Sequence, residues 1–391
     1  MSKRPPYEVA DVVRAHGKEF VEEFGHLLDS GHLRALHAIE NCRTAILGGN
    51  LNACDRCGHR VNSYNSCRNR HCPKCQAAAR EKWLADRTAE LLPVAYFHVV
   101  FTLPHLLAPL ALQNKRVLYG ILFRAVSETL LEVAADPKHL GANIGFLGVL
   151  HTWGQNLSHH PHIHCVIPGG GLSADRSSWI GSDDHFLLPV KVLSRVFRGK
   201  FLAFLRKAFR QGKLQFHGAL AELATRRGFG CLLRKAYGCE WVVYTKPPFG
   251  GPEHVIRYLA RYTHRVAISN HRIVSVADGQ VTFLWKDYAH GNKQKKMTIA
   301  AAEFLRRFFQ HILPKGFVRI RHFGFLANRQ RKALLRRCRD LLNAHPAAPH
   351  AGSGVASPVE LPICPACRLG RLRIVERIPS GRSSFFRINS S

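Results

Sequence analysis

Two Cys-x-x-Cys pairs, Cys54/Cys57 and Cys72/Cys75, stand fourteen residues apart in "CDRCGHRVNSYNSCRNRHCPKC". Each pair offers two thiolates from one tight turn, and tetrahedral Zn²⁺ takes four such ligands, so the spacing predicts that this segment closes around one metal ion. Cys67, His59 and His71 lie in the same loop and are candidate substitutes for one of the four. Four protein ligands leave no open position, which makes the expected zinc structural. Arg56, Arg60, Arg68, Arg70 and Lys74 are interleaved with the ligands and suit a DNA-contacting surface. A further pair, Cys364/Cys367, is half a site with only Cys338 as a candidate partner, and no metal is assigned to it.

Twelve cysteines argue for metal rather than disulfides if the chain lives in a reducing compartment. The opening "MSKRPPYEVADVVR" has no apolar stretch long enough for a secretory signal, so a cytoplasmic, nucleoid-associated location is expected. The uncharged run at residues 91–114 is interrupted by Pro93, Pro104 and Pro109 and carries His98 and His105, which excludes a membrane span. The 391 residues are 46% hydrophobic, enough for two or three globular domains. A net charge of +31 is the footprint of a polyanionic partner, most simply nucleic acid.

Periodicity sketches an α+β protein. Residues 7–47 read as helical, residues 94–103 as a strand and residues 106–135 as helical. "IGFLGVLHTW" and "HIHCVIPGG" read as neighbouring strands joined through residues 155–161, followed by a long helical region at 190–227 and the strand "EWVVYTK". A helix is expected to start at Gly251 and Pro252. "HRIVSVADGQVTFLWKD" is a hairpin turning at Asp278-Gly279, and "TIAAAEFLRRFFQHIL" is a helix stopped by Pro314. The expected units are a helical and zinc-binding DNA-recognition module (1–90), a catalytic domain (91–340), and a flexible linker and short Cys-x-x-Cys tail (341–391).

"HHPHIHCVIPGGG", residues 159–171, crowds potential ligands into one strand. Alternate strand residues face one way, so His162 and His164 present two imidazoles on one face, a pair that can ligate one metal ion. Downstream, "RYLARYTHR" places Tyr258 and Tyr262 one helical turn apart, beside a stripe of Arg257, Arg261 and Arg265. A Tyr/Leu helix face alone often means core packing. Next to a histidine pair in a basic chain, it suits phosphodiester chemistry: guanidiniums hold phosphate oxygens, and a phenol attacks phosphorus.

"HPHIHC" followed by "GGGL", together with "YLARYTHRVAISN" and "SCRNRHCPKCQ", resembles the transposases of the IS ninety-one family, two-tyrosine rolling-circle members of the HUH (histidine–hydrophobic–histidine) endonucleases. The resemblance runs over residues 42–331 and includes "LHTWGQ" and "GFVRIRHFGFLANR". It implies a core of one central antiparallel sheet flanked by helices. It also implies cleavage of single-stranded DNA at element ends through a 5′-phosphotyrosine on Tyr258 or Tyr262. Mg²⁺ or Mn²⁺ would be held by His162, His164 and a third ligand, His151 or, failing that, Gln155. The sequence has no GxxxxGK[ST] loop, so unwinding would fall to a host helicase. A plasmid replication initiator or relaxase with the same chemistry is the nearest alternative, and a non-enzymatic zinc-containing nucleic-acid-binding protein is the next. In every case affinity for single-stranded DNA, followed by fluorescence anisotropy, is expected to fall roughly a thousandfold or more between about 50 and 200 mM salt. A flat response would contradict the charge argument.

Overall fold

A computed structural model describes residues 5–76, 83–84, 86–88, 90–183, 185–246, 267–287, 291–343 and 361–381. Helices α1 (Val9–Phe24) and α2 (Ser30–Glu40) come first, then strands β1 (Gly49–Cys54) and β2 (Arg60–Tyr64). Strand β3 (Tyr96–Thr102), helices α3 (Ala108–Gln113) and α4 (Lys115–Ala135), and strands β4 (Gly145–Trp153) and β5 (His159–Pro168) follow. Short strands β6 (Gly170–Leu172) and β7 (Trp179–Gly181) precede α5 (Val190–Arg210), α6 (Arg226–Gly238) and β8 (Val243–Lys246). Then come β9 (Ile273–Ala277), β10 (Gln280–Asp287), β11 (Lys293–Ala300) and α7 (Ala301–Phe309). The last elements are β12 (Ile320–Gly324), α8 (Arg331–Leu341) and β13 (Leu372–Ile378).

The centre is a five-stranded sheet in the order β12-β4-β5-β3-β8, antiparallel at every pairing. Period-two alternation gives it two distinct faces. On one, Phe97, Val99 and Phe101 of β3, Phe146 and Leu150 of β4, and Ile163, Cys165 and Ile167 of β5 pack with Leu118, Leu122 and Val126 of α4 and Phe197 and Phe201 of α5. Each such large side chain contributes about 1.5–3 kcal/mol through burial. The opposite face carries a small cluster of Tyr96, Leu147, Val149 and Val166, and beside it the histidines. The α+β fold with helices flanking an antiparallel sheet is therefore as expected.

A second core joins the N-terminal helices to residues 267–312. Val9, Val13 and Phe20 of α1 and Ile39 of α2 pack with Phe283 of β10 and Phe304, Leu305 and Phe308 of α7. Phe20 stacks on Phe309 at 5.4 Å. This core spans the domain boundary expected near residue 90. A third sheet, β13-β1-β2, pairs Gly49 with Ile378 and Cys54 with Leu372, so residues 361–381 of the expected tail fold back onto the N-terminal module.

Some expected boundaries shift for local reasons. The region read as one helix over 190–227 breaks after α5, where Gly212 takes φ +64°, and restarts as α6 with the Thr225 hydroxyl accepting from the Gly228 N–H at 3.0 Å. Residues 298–300 extend a strand rather than start a helix, with the Thr298 hydroxyl at 2.8 Å from that of Thr282 across the β10–β11 pair. The hairpin turn at Asp278 (φ 52°) and Gly279 (φ 70°) is as read, with both residues left-handed. No helix among the described residues is long and apolar enough to cross a membrane.

Two glycines make the packing testable. Gly324 (φ +58°) ends β12 so close to β4 that a Cβ would lie 1.8 Å from the Ile144 carbonyl oxygen, whereas a Cβ on Gly279 (φ +70°) meets nothing within 4 Å. Gly279→Ala is expected to cost about 1–2 kcal/mol from conformation alone, and Gly324→Ala distinctly more. Chemical denaturation of both variants checks the order; equal losses would contradict the seating of β12.

Candidate functional site

Strands β4 and β5 build the site. Their register sets His151 opposite His162, and His164 opposite Val149. All three imidazoles lie on the face turned away from α4 and α5, and one nitrogen from each falls within 4.8 Å of the others. Ring centroids are 4.3 Å apart for His151 and His164, 4.8 Å for His162 and His164, and 5.3 Å for His151 and His162. The grouping read from the sequence is thus assembled in space, with His151 as the third member. Gln155, the other candidate, sits in the β4–β5 turn, where its backbone carbonyl accepts from Arg272.

Neighbours fix these rings. The Nδ1–H of His162 donates to the His160 carbonyl at 2.7 Å, which leaves Nε2 carrying the lone pair. His98 of β3, not anticipated as part of the site, stacks on His164 at 5.0 Å, with Nε2 and Nδ1 2.7 Å apart in a ring-to-ring hydrogen bond. The indole of Trp153 stacks on His151 at 4.6 Å. Burial pushes His162 down to about 3 and His98 to about 4, and holds His164 well below the ordinary imidazole range. Neutral imidazoles are the ligating form, so the donor set fits a divalent ion.

The rest of the histidine-rich stretch does other work. His159 turns to the helical side, where its Nδ1–H donates to the Ala108 carbonyl at 3.1 Å and its Nε2 accepts from the Tyr119 hydroxyl at 2.8 Å. Cys165 is fully buried in the main core. The glycines that follow let backbone approach closely: a Cβ on Gly171 would lie 2.6 Å from the Asn143 oxygen, and one on Gly170 2.4 Å from that of Ile180.

Tyr258, Tyr262, Arg257, Arg261 and Arg265 lie outside the described residues. The residues flanking them are placed. The chain leaves the central sheet at Lys246, the register partner of His98. It is described again from Ala267, which lines a small cavity with Trp153.

The cysteines form two groups of four rather than the one expected. Cys72 and Cys75 join Cys42 and Cys67, while Cys54 and Cys57 join Cys364 and Cys367, the sulfurs of each group lying within 4.8 Å of one another. Strand β1 ends at Cys54 and pairs with β2 and β13, which carries the first pair away from the second. Zn–S bonds of about 2.3 Å place tetrahedral sulfurs about 3.8 Å apart. The first group shows Cys42–Cys75 at 3.6 Å and Cys67–Cys75 at 3.5 Å. A thiol hydrogen bond between Cys42 and Cys67 lowers the Cys42 thiol and raises that of Cys67. Of the substitutes considered, Cys67 is a member. His59 is exposed, and His71 accepts the Leu313 N–H at 3.3 Å. Cys338 lies in an apolar cluster with Leu92, Phe325 and Leu335, apart from Cys364.

The basic residues of this segment divide as well. Arg70 donates to the carbonyls of Phe317 (2.7 Å), Pro314 (3.0 Å) and Leu313 (3.3 Å), and Lys74 pairs with Glu8, so both are spent inward. Arg56, Arg60 and Arg68 are exposed and available to a polyanion.

A family model described as "Putative transposase" matches residues 145–333, and one described as "Transposase zinc-binding domain" matches residues 12–103. "Putative transposase y4qJ" of Sinorhizobium fredii (strain NBRC 101917 / NGR234) is 54% identical over 381 residues, covering 94% of this chain and 95% of that protein. The chain belongs to the IS ninety-one family of insertion-sequence transposases. "Transposase for insertion sequence element IS801" of Pseudomonas savastanoi pv. phaseolicola is 30% identical over 317 residues, with 78% of this transposase and 74% of that one covered. The solved structure "Conjugative Relaxase TrwC in complex with OriT Dna. Metal-free structure." aligns at 14% identity over 43% of this chain and 71% of the other, with a TM-score of 0.23.

The zinc-binding match covers Cys42, Cys67, Cys72 and Cys75, and the tetrahedral edges of that group fit the ion. Cys67→Ala is expected to lower bound zinc, measured by elemental analysis, while Cys338→Ala leaves it unchanged. The reverse pattern would contradict the grouping.

Proposed function

We propose that this transposase cuts and rejoins single-stranded DNA at the ends of its element through a 5′-phosphotyrosine, the chemistry of rolling-circle transposition. The observation that carries the reading is the convergence of His151, His162 and His164 on one face of the central sheet. The register of Lys246 opposite His98 supports it further, since Lys246 is the last described residue before the tyrosines.

Tyr258 or Tyr262 gives up its phenolic proton and forms a bond to the scissile phosphorus. The P–O bond to the 3′ oxygen breaks, and that oxygen takes up a proton to leave a free 3′-hydroxyl. A phenol with pKa near 10 is also a competent leaving group, so the reverse attack by a DNA hydroxyl rejoins strands without hydrolysis. The second tyrosine permits a second cleavage before the first is resolved. Arg257, Arg261 and Arg265 hold the flanking phosphate oxygens. His151, His162 and His164 would hold Mg²⁺ or Mn²⁺, and the bound ion would supply Lewis-acid withdrawal of charge from the phosphate. Separation of the duplex strands is left to a host helicase, and the reaction takes place on cytoplasmic DNA.

The test is peptide mapping by mass spectrometry after incubation with Mg²⁺ and an oligonucleotide bearing the element end. A nucleotide adduct is expected on the peptide containing Tyr258 or Tyr262. The double variant Tyr258→Phe/Tyr262→Phe is expected to bind the oligonucleotide and form no adduct. An adduct persisting in that variant, or cleavage undiminished in excess EDTA, would overturn the proposal.

A further inference from the structure

We propose that Cys54, Cys57, Cys364 and Cys367 bind a second structural zinc ion, and that this ion clasps the C-terminal segment of the transposase to its N-terminal module. The sulfurs of Cys54 and Cys367 are 3.7 Å apart, as are those of Cys57 and Cys364. Those spacings match the roughly 3.8 Å edge of a zinc tetrathiolate. Half of the ligand set lies beyond the residues that either family model matches, 12–103 and 145–333.

The two pairs are built as twins. After Cys57, Gly58 takes φ +69° and its N–H donates to the Cys54 carbonyl at 3.1 Å. After Cys367, Arg368 takes φ +57° and its N–H donates to the Cys364 carbonyl at 3.0 Å. Backbone N–H groups also point at the sulfurs, as a thiolate ligand requires. Arg56 and Cys57 donate to the Cys54 sulfur at 3.4 and 3.5 Å, and Gly370 donates to that of Cys367 at 3.3 Å. The halves are keyed to each other. The Asp55 carboxylate accepts the Arg371 N–H at 2.8 Å, and a Cβ on Gly370 would lie 2.4 Å from the Cys54 sulfur.

Apolar burial does not hold this subunit together. Strand β13 is mostly exposed, with Ile374 60% and Val375 55% accessible, and Leu369 in the adjoining turn is 70% accessible. A small three-stranded sheet without an apolar core is not independently stable in water, and a metal ion is the usual substitute. The ion therefore supplies the free energy that keeps residues 361–381 on β1.

Zinc content and tail retention test the clasp on the full chain. The wild-type protein is expected to carry two zinc ions, and Cys364→Ser/Cys367→Ser one. Independently, a protease site inserted within residues 344–360 allows the tail to be cut free of its peptide link with every cysteine intact. After cleavage, the fragment is expected to co-elute with the body on gel filtration in zinc-replete buffer and to separate once a strong chelator has stripped the metal. A wild-type content of one zinc, two ions retained in the double variant, or a cut tail that dissociates in zinc-replete buffer would each overturn the proposal. The tail-release arm stands even where the double variant does not fold.

Discussion

The pairing of β4 with β5 determines which chemistry this transposase can present. With His151 set against His162, one face of the sheet collects imidazoles, and the other collects Leu150, Ile163 and Cys165 under α4 and α5. A slip of one residue would exchange those sets, burying imidazoles in an apolar core and exposing isoleucine. The hydrophobic demand of the α4/α5 core therefore enforces the register, and the register in turn gathers the histidines. Packing and function are two faces of one constraint.

Around that sheet, the chain resolves a problem set by its own composition. A net charge of +31 leaves self-repulsion unbalanced. Part of the answer is to turn charge inward, as Arg70 does by capping three carbonyls near Pro314 and Lys74 by pairing with Glu8. Of the two cysteine groups, one borders the second apolar core and the other lies beside the mostly exposed β13. Arg56, Arg60 and Arg68 remain exposed, where they can meet phosphate.

Much of this was legible in the sequence wherever the signal is local. The His162/His164 face follows from period two, the Asp278-Gly279 turn from left-handed propensity, and the third imidazole from its place at the end of a neighbouring strand. Grouping of the cysteines was not legible from spacing. Cys54 and Cys364 are brought together by β1–β13 pairing across the whole fold, and a fourteen-residue gap looked sufficient to close a site without them. Counting would have helped: Cys42 and Cys67 with two local pairs and one distant pair make eight ligands, two tetrahedra rather than one. His98 was hidden in the apolar run "YFHVVF", because nothing along a single strand shows that it will stack on its neighbour's histidine. The roles proposed for Tyr258 and Tyr262 rest on their spacing in the sequence and on the resemblance that the motif carries.

Pulsed electron paramagnetic resonance of zinc-loaded protein titrated with Mn²⁺ tests the histidine centre most directly. The account predicts one tightly bound Mn²⁺ per chain with ¹⁴N couplings from imidazole, lost in His162→Ala/His164→Ala while the zinc content is unchanged. A bound Mn²⁺ without nitrogen coupling, or one that survives that double substitution, would contradict it.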